Sequence, residues 1–139
     1  MEQLFLFVSS RDSKETFPEN NPAGFIIQLP GIINLKGTWV CALTELYVDN
    51  RFVTTPQQIV VSSDLIEESY ISNTQWPVLR RIPVEVNQDI DLTFEDPYYF
   101  KVVQHQVHRI HIYLKDQDLE SVQLTGGELS CVLHLKHIA

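Results

Sequence analysis

The chain predicts an all-β sandwich or barrel, and three observations lead there. Apolar and polar residues alternate at a period of two in Phe25–Leu29, in Ile90–Glu95 and again in Ile110–Leu114. Turn signals recur between such stretches: Pro18, Pro22, Pro30-Gly31, Asn34–Gly37, Pro56, Pro97 and Gly126-Gly127. No helical period runs longer than about two turns, which leaves about eight or nine strands.

Leu4–Ser9 reads as the first strand and Ser10–Ala23 as a polar loop. Phe25, Ile27 and Leu29 alternate with Ile26 and Gln28, a half-buried strand that Pro30-Gly31 is expected to end in a turn. Asn34–Gly37 makes a second turn before the central strand, Thr38–Val48. That strand is apolar on both sides of a period-two ribbon. Trp39, Cys41, Leu43 and Tyr47 share one side, and Val40, Ala42, Leu46 and Val48 the other, with only Thr44 and Glu45 interrupting. A strand of this kind is expected to be covered on both faces.

Gln58–Ser62 is a short strand after the Pro56 break. Ser63–Val78 has no clean period and reads as a long connection, with a short helix capped by Asp64 and reaching Tyr70 as the alternative. Leu79–Val86 is extended, and Pro83 confines it to an edge or a bulge. Ile90–Glu95 and Tyr98–Val103 follow as strands. In the last third, Ile110, Ile112 and Leu114 oppose Arg109, His111 and Tyr113. After the loop Lys115–Gly127, Leu129, Cys131, Leu133 and Leu135 oppose Ser130, Val132, His134 and Lys136.

With 139 residues the chain fits one domain, 1–139, long enough to bury a core without staples. Eighteen acidic against ten basic residues give a net charge of −8, which disfavours holding nucleic acid by neutralising phosphates. Cys41 and Cys131 are read as buried thiols, with a bridge between them the alternative. The opening Met1–Ser10 has a short apolar run and no basic leader, which is not a signal-peptide pattern. No apolar run approaches membrane-spanning length. These features describe a soluble protein made in a reducing compartment.

Chemistry-bearing motifs are sparse. On a strand His105 and His111 share a face but lie about 20 Å apart at ~3.3 Å per residue, and His108 points the other way, so no zinc site forms. His134 and His137 fall on opposite faces. Asp116, Asp118 and Glu120 alternate as calcium ligands do, but Ser121 stands where that loop needs Gly. Glu67-Glu68 and Glu95-Asp96 are sequence neighbours, poorly placed for paired-carboxylate work. Arg80-Arg81 reads as a basic step on an exposed edge. There is no G-x-S-x-G, phosphate loop or C-x-x-C. The chain is expected to be no enzyme, with no catalytic residue, metal or cofactor.

Three stretches in order carry a resemblance: FPENNPAGFIIQLPGIINLKGTWVCALTELYV at 17–48, IVVSSDLIEESYISNTQWPVLRRI at 59–82, and IHIYLKDQDLESVQLTGGELSCVLHLK at 110–136. Together they resemble the minor capsid (penton) proteins of Polinton/Maverick elements and adintoviruses. Ile32 stands where that family has a second Pro, Ile71-Ser72 where it favours Val-Gly, and Leu119 where it has the Gly of a D-x-x-G turn. The resemblance implies a single jelly-roll β-sandwich of about eight antiparallel strands. It also implies a homopentamer at the five-fold vertices of an icosahedral capsid, beside a double jelly-roll major capsid protein, hence localisation to the virion. The length agrees: a double jelly roll needs about sixteen strands of roughly five to six residues, more than this chain supplies.

If the function lies in interfaces, the candidates are apolar residues on the faces left over by strand alternation: Phe5, Phe7, Val40, Ala42 and Leu46. The competing reading for each is ordinary sandwich core. A second function class is a β-sandwich module recognising a glycan or receptor, with Trp76, Tyr98 and Tyr99 as stacking platforms on one loop end. A third, a cupin-type metalloenzyme, needs an H-x-H pair, and His108–His111 has the wrong parity.

Overall fold

The computed structural model describes residues 2–139. Its strands are β1 (Gln3–Ser9), β2 (Gly24–Asn34), β3 (Trp39–Val48), β4 (Gln58–Ser63), β5 (Ser69–Ile71), β6 (Thr74–Trp76), β7 (Val78–Pro83), β8 (Ile90–Thr93), β9 (Phe100–Lys101), β10 (Gln106–Asp116) and β11 (Leu129–His137). No helix occurs among the described residues. One sheet runs β1-β11-β3-β8, with β9 also on β3, and the second runs β2-β10-β4-β7. Every pairing is antiparallel, and the chain crosses between the sheets so that the first and last strands lie side by side. This is a single jelly roll of eight principal strands, with β9 and the β5–β6 hairpin as additions.

The inner faces meet as predicted from alternation. Leu129, Cys131, Leu133 and Leu135 of β11 pack with Phe25 and Ile27 of β2 and with Ile110, Ile112 and Leu114 of β10 in one core. Cys41 and Cys131 are both buried and free.

The central strand departs from its predicted parity. Val132 pairs with Glu45 and Leu133 with Leu43, so Thr44 is an extra residue, a β-bulge. Past the bulge the alternation inverts. Trp39, Cys41 and Leu43 face the core before it, and Leu46 and Val48 face the same core after it. Toward the outer face the strand stays apolar at Val40 and Ala42, the latter fully buried, and turns polar only past the bulge, at Glu45 and Tyr47. Leu46, expected on the outer side, is 2% exposed in the core, and Tyr47, expected beside Trp39, faces out.

A bulge also corrects the expectation at Pro30-Gly31. Val107 pairs with Ile33 but Arg109 with Gln28, so Leu29–Ile32 bow out against His108 alone and β2 resumes to Asn34. Proline lacks an N–H, and it is tolerated here because the bowed segment is exposed and off the ladder. Ser63–Val78 holds a turn and the β5–β6 hairpin, not a helix. The strand expected over Leu79–Val86 occupies Val78–Pro83 and is the sheet's edge, as Pro83 requires. That expected over Tyr98–Val103 shrinks to β9.

The 10–23 loop has a structural task. Asn20, buried, accepts the Ile26 N–H at 2.9 Å through Oδ1 and donates through Nδ2 to the Ile26 carbonyl at 2.9 Å and the Asp12 carbonyl at 3.1 Å. Ser13 Oγ accepts the Gln28 N–H at 2.9 Å. One amide side chain thus takes the place of a neighbouring strand along the edge of β2.

Candidate subunit interface

The outer face of the β1-β11-β3-β8 sheet is assembled by register. Gln3, Lys136, Val40 and Lys101 form one row; Phe5, His134 and Ala42 the next; then Phe7, Val132, Glu45 and Thr93; then Ser9, Ser130, Tyr47 and Asp91. Phe5 and Phe7 are 52% and 73% exposed on it. Large apolar side chains at that exposure, adjacent on one strand, form a patch rather than a scatter. The face is also polarised. Lys136 and Lys101 stand at one end, while Asp12, Glu45 and Asp91 line a depression of about 310 Å³ beside Phe7 at the other.

A cluster built on His134 organises the middle. Its ring stacks on Phe5 with centroids 4.4 Å apart and meets Tyr99 edge-on at 5.8 Å. The Tyr99 hydroxyl donates to Nδ1 at 2.8 Å, and Nε2–H donates to Gln3 Oε1 at 2.8 Å, an arrangement that needs the neutral Nε2–H tautomer. Partial desolvation, helped by the nearby Lys136 charge, lowers the His134 pKa from the ordinary histidine value. The Lys136 ammonium sits 4.0 Å from the Tyr99 ring centroid.

Of the residues singled out from sequence, Phe5, Phe7, Val40 and Ala42 come together on this face. Ala42 is fully buried, with the Phe5–His134–Tyr99 cluster on its side of the sheet, and offers no surface of its own. Leu46 points the opposite way, into the core, because of the Thr44 bulge. Sequence reasoning weighed His134 only as a metal ligand and Tyr99 only as a stacking platform, and named neither as an interface residue. The signal for His134 was its place opposite Leu133 and Leu135 on the last strand. Tyr99 is brought over the sheet only by the β8–β9 connection.

The aromatic platforms of the binding-module reading are dispersed. Trp76 lies over the second sheet, its Nε1–H bonded to Ser62 Oγ at 2.8 Å, and Tyr99 is part of the His134 cluster. Tyr98 is exposed, but Arg80 covers its ring, with the guanidinium 3.8 Å from that centroid and 4.3 Å from that of Phe94. Arg80 is accordingly a clamp between the sheets' edges, not a free basic step. His105 precedes β10, His108 sits at the bulge and His111 lies on the outer face. Among the described residues no three His, Cys, Asp or Glu side chains converge on a metal position. Asp116 Oδ1 accepts the N–H groups of Asp118 and Glu120 at 2.8 and 2.9 Å, closing a turn in which Leu119 takes a φ of 60°. That left-handed conformation explains why the family pattern has Gly there.

At the opposite end of the sheet, Asp49 Oδ1 accepts the Tyr47 hydroxyl and Oδ2 the Glu128 N–H. The shared proton raises Tyr47 to about 12 and lowers Asp49. Gly127 (φ 86°) passes so close that an added Cβ would lie 2.8 Å from the Asp49 Cβ.

No family model matches the chain, and no curated protein matches it by sequence. Among solved structures, it is similar to the crystal structure of the mavirus penton protein, with a TM-score of 0.68 at 8% sequence identity. The superposition covers 99% of this chain and 100% of that one. From one end to the other, this chain has the fold of the mavirus penton protein.

Proposed function

We propose that this protein is a penton-type minor capsid subunit, a structural rather than catalytic protein. Five copies close into a ring at the five-fold vertex of an icosahedral shell built from a double jelly-roll major capsid protein. The whole of 1–139 acts as one capsid domain, and the mature protein resides in the virion. The observation that carries this reading is the likeness to a penton protein over 99% of this chain and 100% of that one. The patch of Phe5 and Phe7 supports it, since an exposed aromatic pair on a sheet face is interface composition. The net charge of −8 suits a shell component better than a genome-binding one.

Native mass measurement tests it. A discrete five-subunit species, of the purified protein or on mixing with the major capsid protein, is expected. A chain that stays monomeric in both and binds glycans through its surface aromatics would overturn it.

A further inference from the structure

β1 is an edge strand, paired only with β11 among the described residues. Ser10 N–H donates to the Leu129 carbonyl and His137 N–H to the Glu2 carbonyl, each at 2.8 Å, so even-numbered residues along this stretch bond to β11. The N–H and C=O of Gln3, Phe5 and Phe7 therefore point away from the sheet, where no strand meets them. At Ser9 the edge is closed. Asp12 accepts the Ser9 N–H through Oδ2 and donates its own N–H to the Ser9 carbonyl, both at 2.9 Å. Apolar side chains are left open on both sides of the same edge: Phe5 and Phe7 outside, and the half-buried Leu4 and Leu6 on the core side. A layer laid on the outer face would cover the Phe pair alone. A strand added at the edge flanks both pairs and satisfies the backbone.

We propose that this strand is β1 of a second copy of the chain, paired antiparallel about a two-fold axis at Phe5. The open groups run from Gln3 to Phe7 and are symmetric about Phe5. Phe5 then opposes Phe5, Gln3 opposes Phe7, Leu4 opposes Leu6, and every open N–H finds a carbonyl. β1 carries no charge to set against itself. Glu2 and Lys136 stand at its Gln3 end, and Arg11, Asp12 and Glu128 at its Ser9 end. An antiparallel neighbour sets each sign against its opposite, whereas a parallel one sets Glu2 against Glu2. One strand of seven residues covers far less than the ~1,200 Å² of a lasting interface, so the dimer is weak and concentration-dependent. The inference stands apart from the penton reading: a closed two-fold contact does not propagate around a five-fold ring, and this one belongs to free subunits.

Disulfide trapping tests the register, because Cys41 and Cys131 are buried and do not compete. At millimolar concentration Phe5→Cys is expected to oxidise to a covalent dimer, since opposed residues of a bonded pair lie about 5.5 Å apart at Cα. A mixture of Gln3→Cys with Phe7→Cys is expected to give a mixed dimer, which carries the test should Phe5→Cys fail to fold. Phe7→Cys alone should stay monomeric, its two copies lying about 13 Å apart along the strand. In the unsubstituted chain, amide exchange at Gln3, Phe5 and Phe7 should slow several-fold as concentration rises. A Phe7→Cys self-dimer, no mixed dimer, or exchange that ignores concentration would each overturn the pairing. Native mass separates it from the ring: a five-subunit species without these disulfides rejects the edge dimer alone, and trapped dimers that never yield five subunits count against the penton reading alone.

Discussion

At the scale of single residues, Asn20 and His134 do the most with one side chain. Asn20 supplies an acceptor and a donor to the backbone of Ile26, in the stretch that carries most of the family resemblance. Asn20→Ala would leave that buried N–H and C=O unpaired and is expected to cost about 3 kcal/mol, read by chemical denaturation. Asn20→Asp would keep the acceptor but set a buried carboxylate oxygen against the Ile26 and Asp12 carbonyls, and should cost at least as much as the alanine variant. His134 gives a pH dependence. Its folded pKa lies below the unfolded value, so the folded state binds fewer protons near that value. Its contribution is fully present above about pH 6.5 and is lost as pH falls through the lowered folded pKa. The groups facing it are Lys136, Tyr99, Gln3 and Phe5, none a carboxylate that would offset the protonated form. Thermal unfolding between pH 7.5 and 5 should show a loss in the native chain that His134→Gln flattens; equal slopes would reject the assignment.

At the scale of elements, the bulge in β3 is the decisive device. Thr44 donates from Oγ1 to the Val132 carbonyl at 3.2 Å, and its own carbonyl accepts the Phe94 N–H at 2.9 Å. Thr44→Ala removes only the first bond and is expected to cost about 1 kcal/mol. Deleting Thr44 removes the bulge itself. Without the extra residue Leu43 and Glu45 would follow each other opposite Leu133 and Val132, so Leu46 and Val48 would still face the core, and the deletion would lose only the two Thr44 bonds and the local bend. Both the deletion and the alanine variant are expected to unfold cooperatively in calorimetry at a lowered midpoint; loss of cooperativity on deletion would reject Thr44 as the bulged residue. Edges are managed element by element: Asn20 and Ser13 cover β2, Pro83 terminates β7 and β8 is only four residues long. β1 lacks such protection and carries Phe5 and Phe7, consistent with an edge and face meant for a neighbour.

At the scale of the molecule, the core is sealed against solvent. Burial pushes the Cys131 thiol up to about 12 and raises Cys41 as well, the latter also by its proximity to Cys131. Both thiols are expected to be silent toward a thiol reagent at pH 8 in the native chain and to react together on unfolding; reaction of one in the native state would show a local opening of β3 or β11. Only one ion pair, Arg11 with Glu128 at 3.7 Å and largely exposed, occurs among the described residues. The fold therefore rests on apolar burial and the sheet ladders, not on charge pairing.

What the sequence by itself determined is the alternation. Phe25 with Ile27, Ile110 with Ile112 and Leu114, and Leu129 through Leu135 announced inward faces that the structure keeps, because a pleated strand sends alternate residues to opposite sides. The ordered blocks at 17–48, 59–82 and 110–136 were enough to suggest the family whose fold the chain adopts. Only the tertiary structure decided what lies across the strands. A bulge at Thr44 depends on β11 opposite it, and no residue of β3 alone says where parity inverts. The same pairing withdrew Leu46 into the core, gathered Phe5, His134 and Tyr99 from distant parts of the chain, and left Phe5 and Phe7 exposed on one face. Alternation is a local property of the backbone, whereas the choice of face belongs to the partner strand.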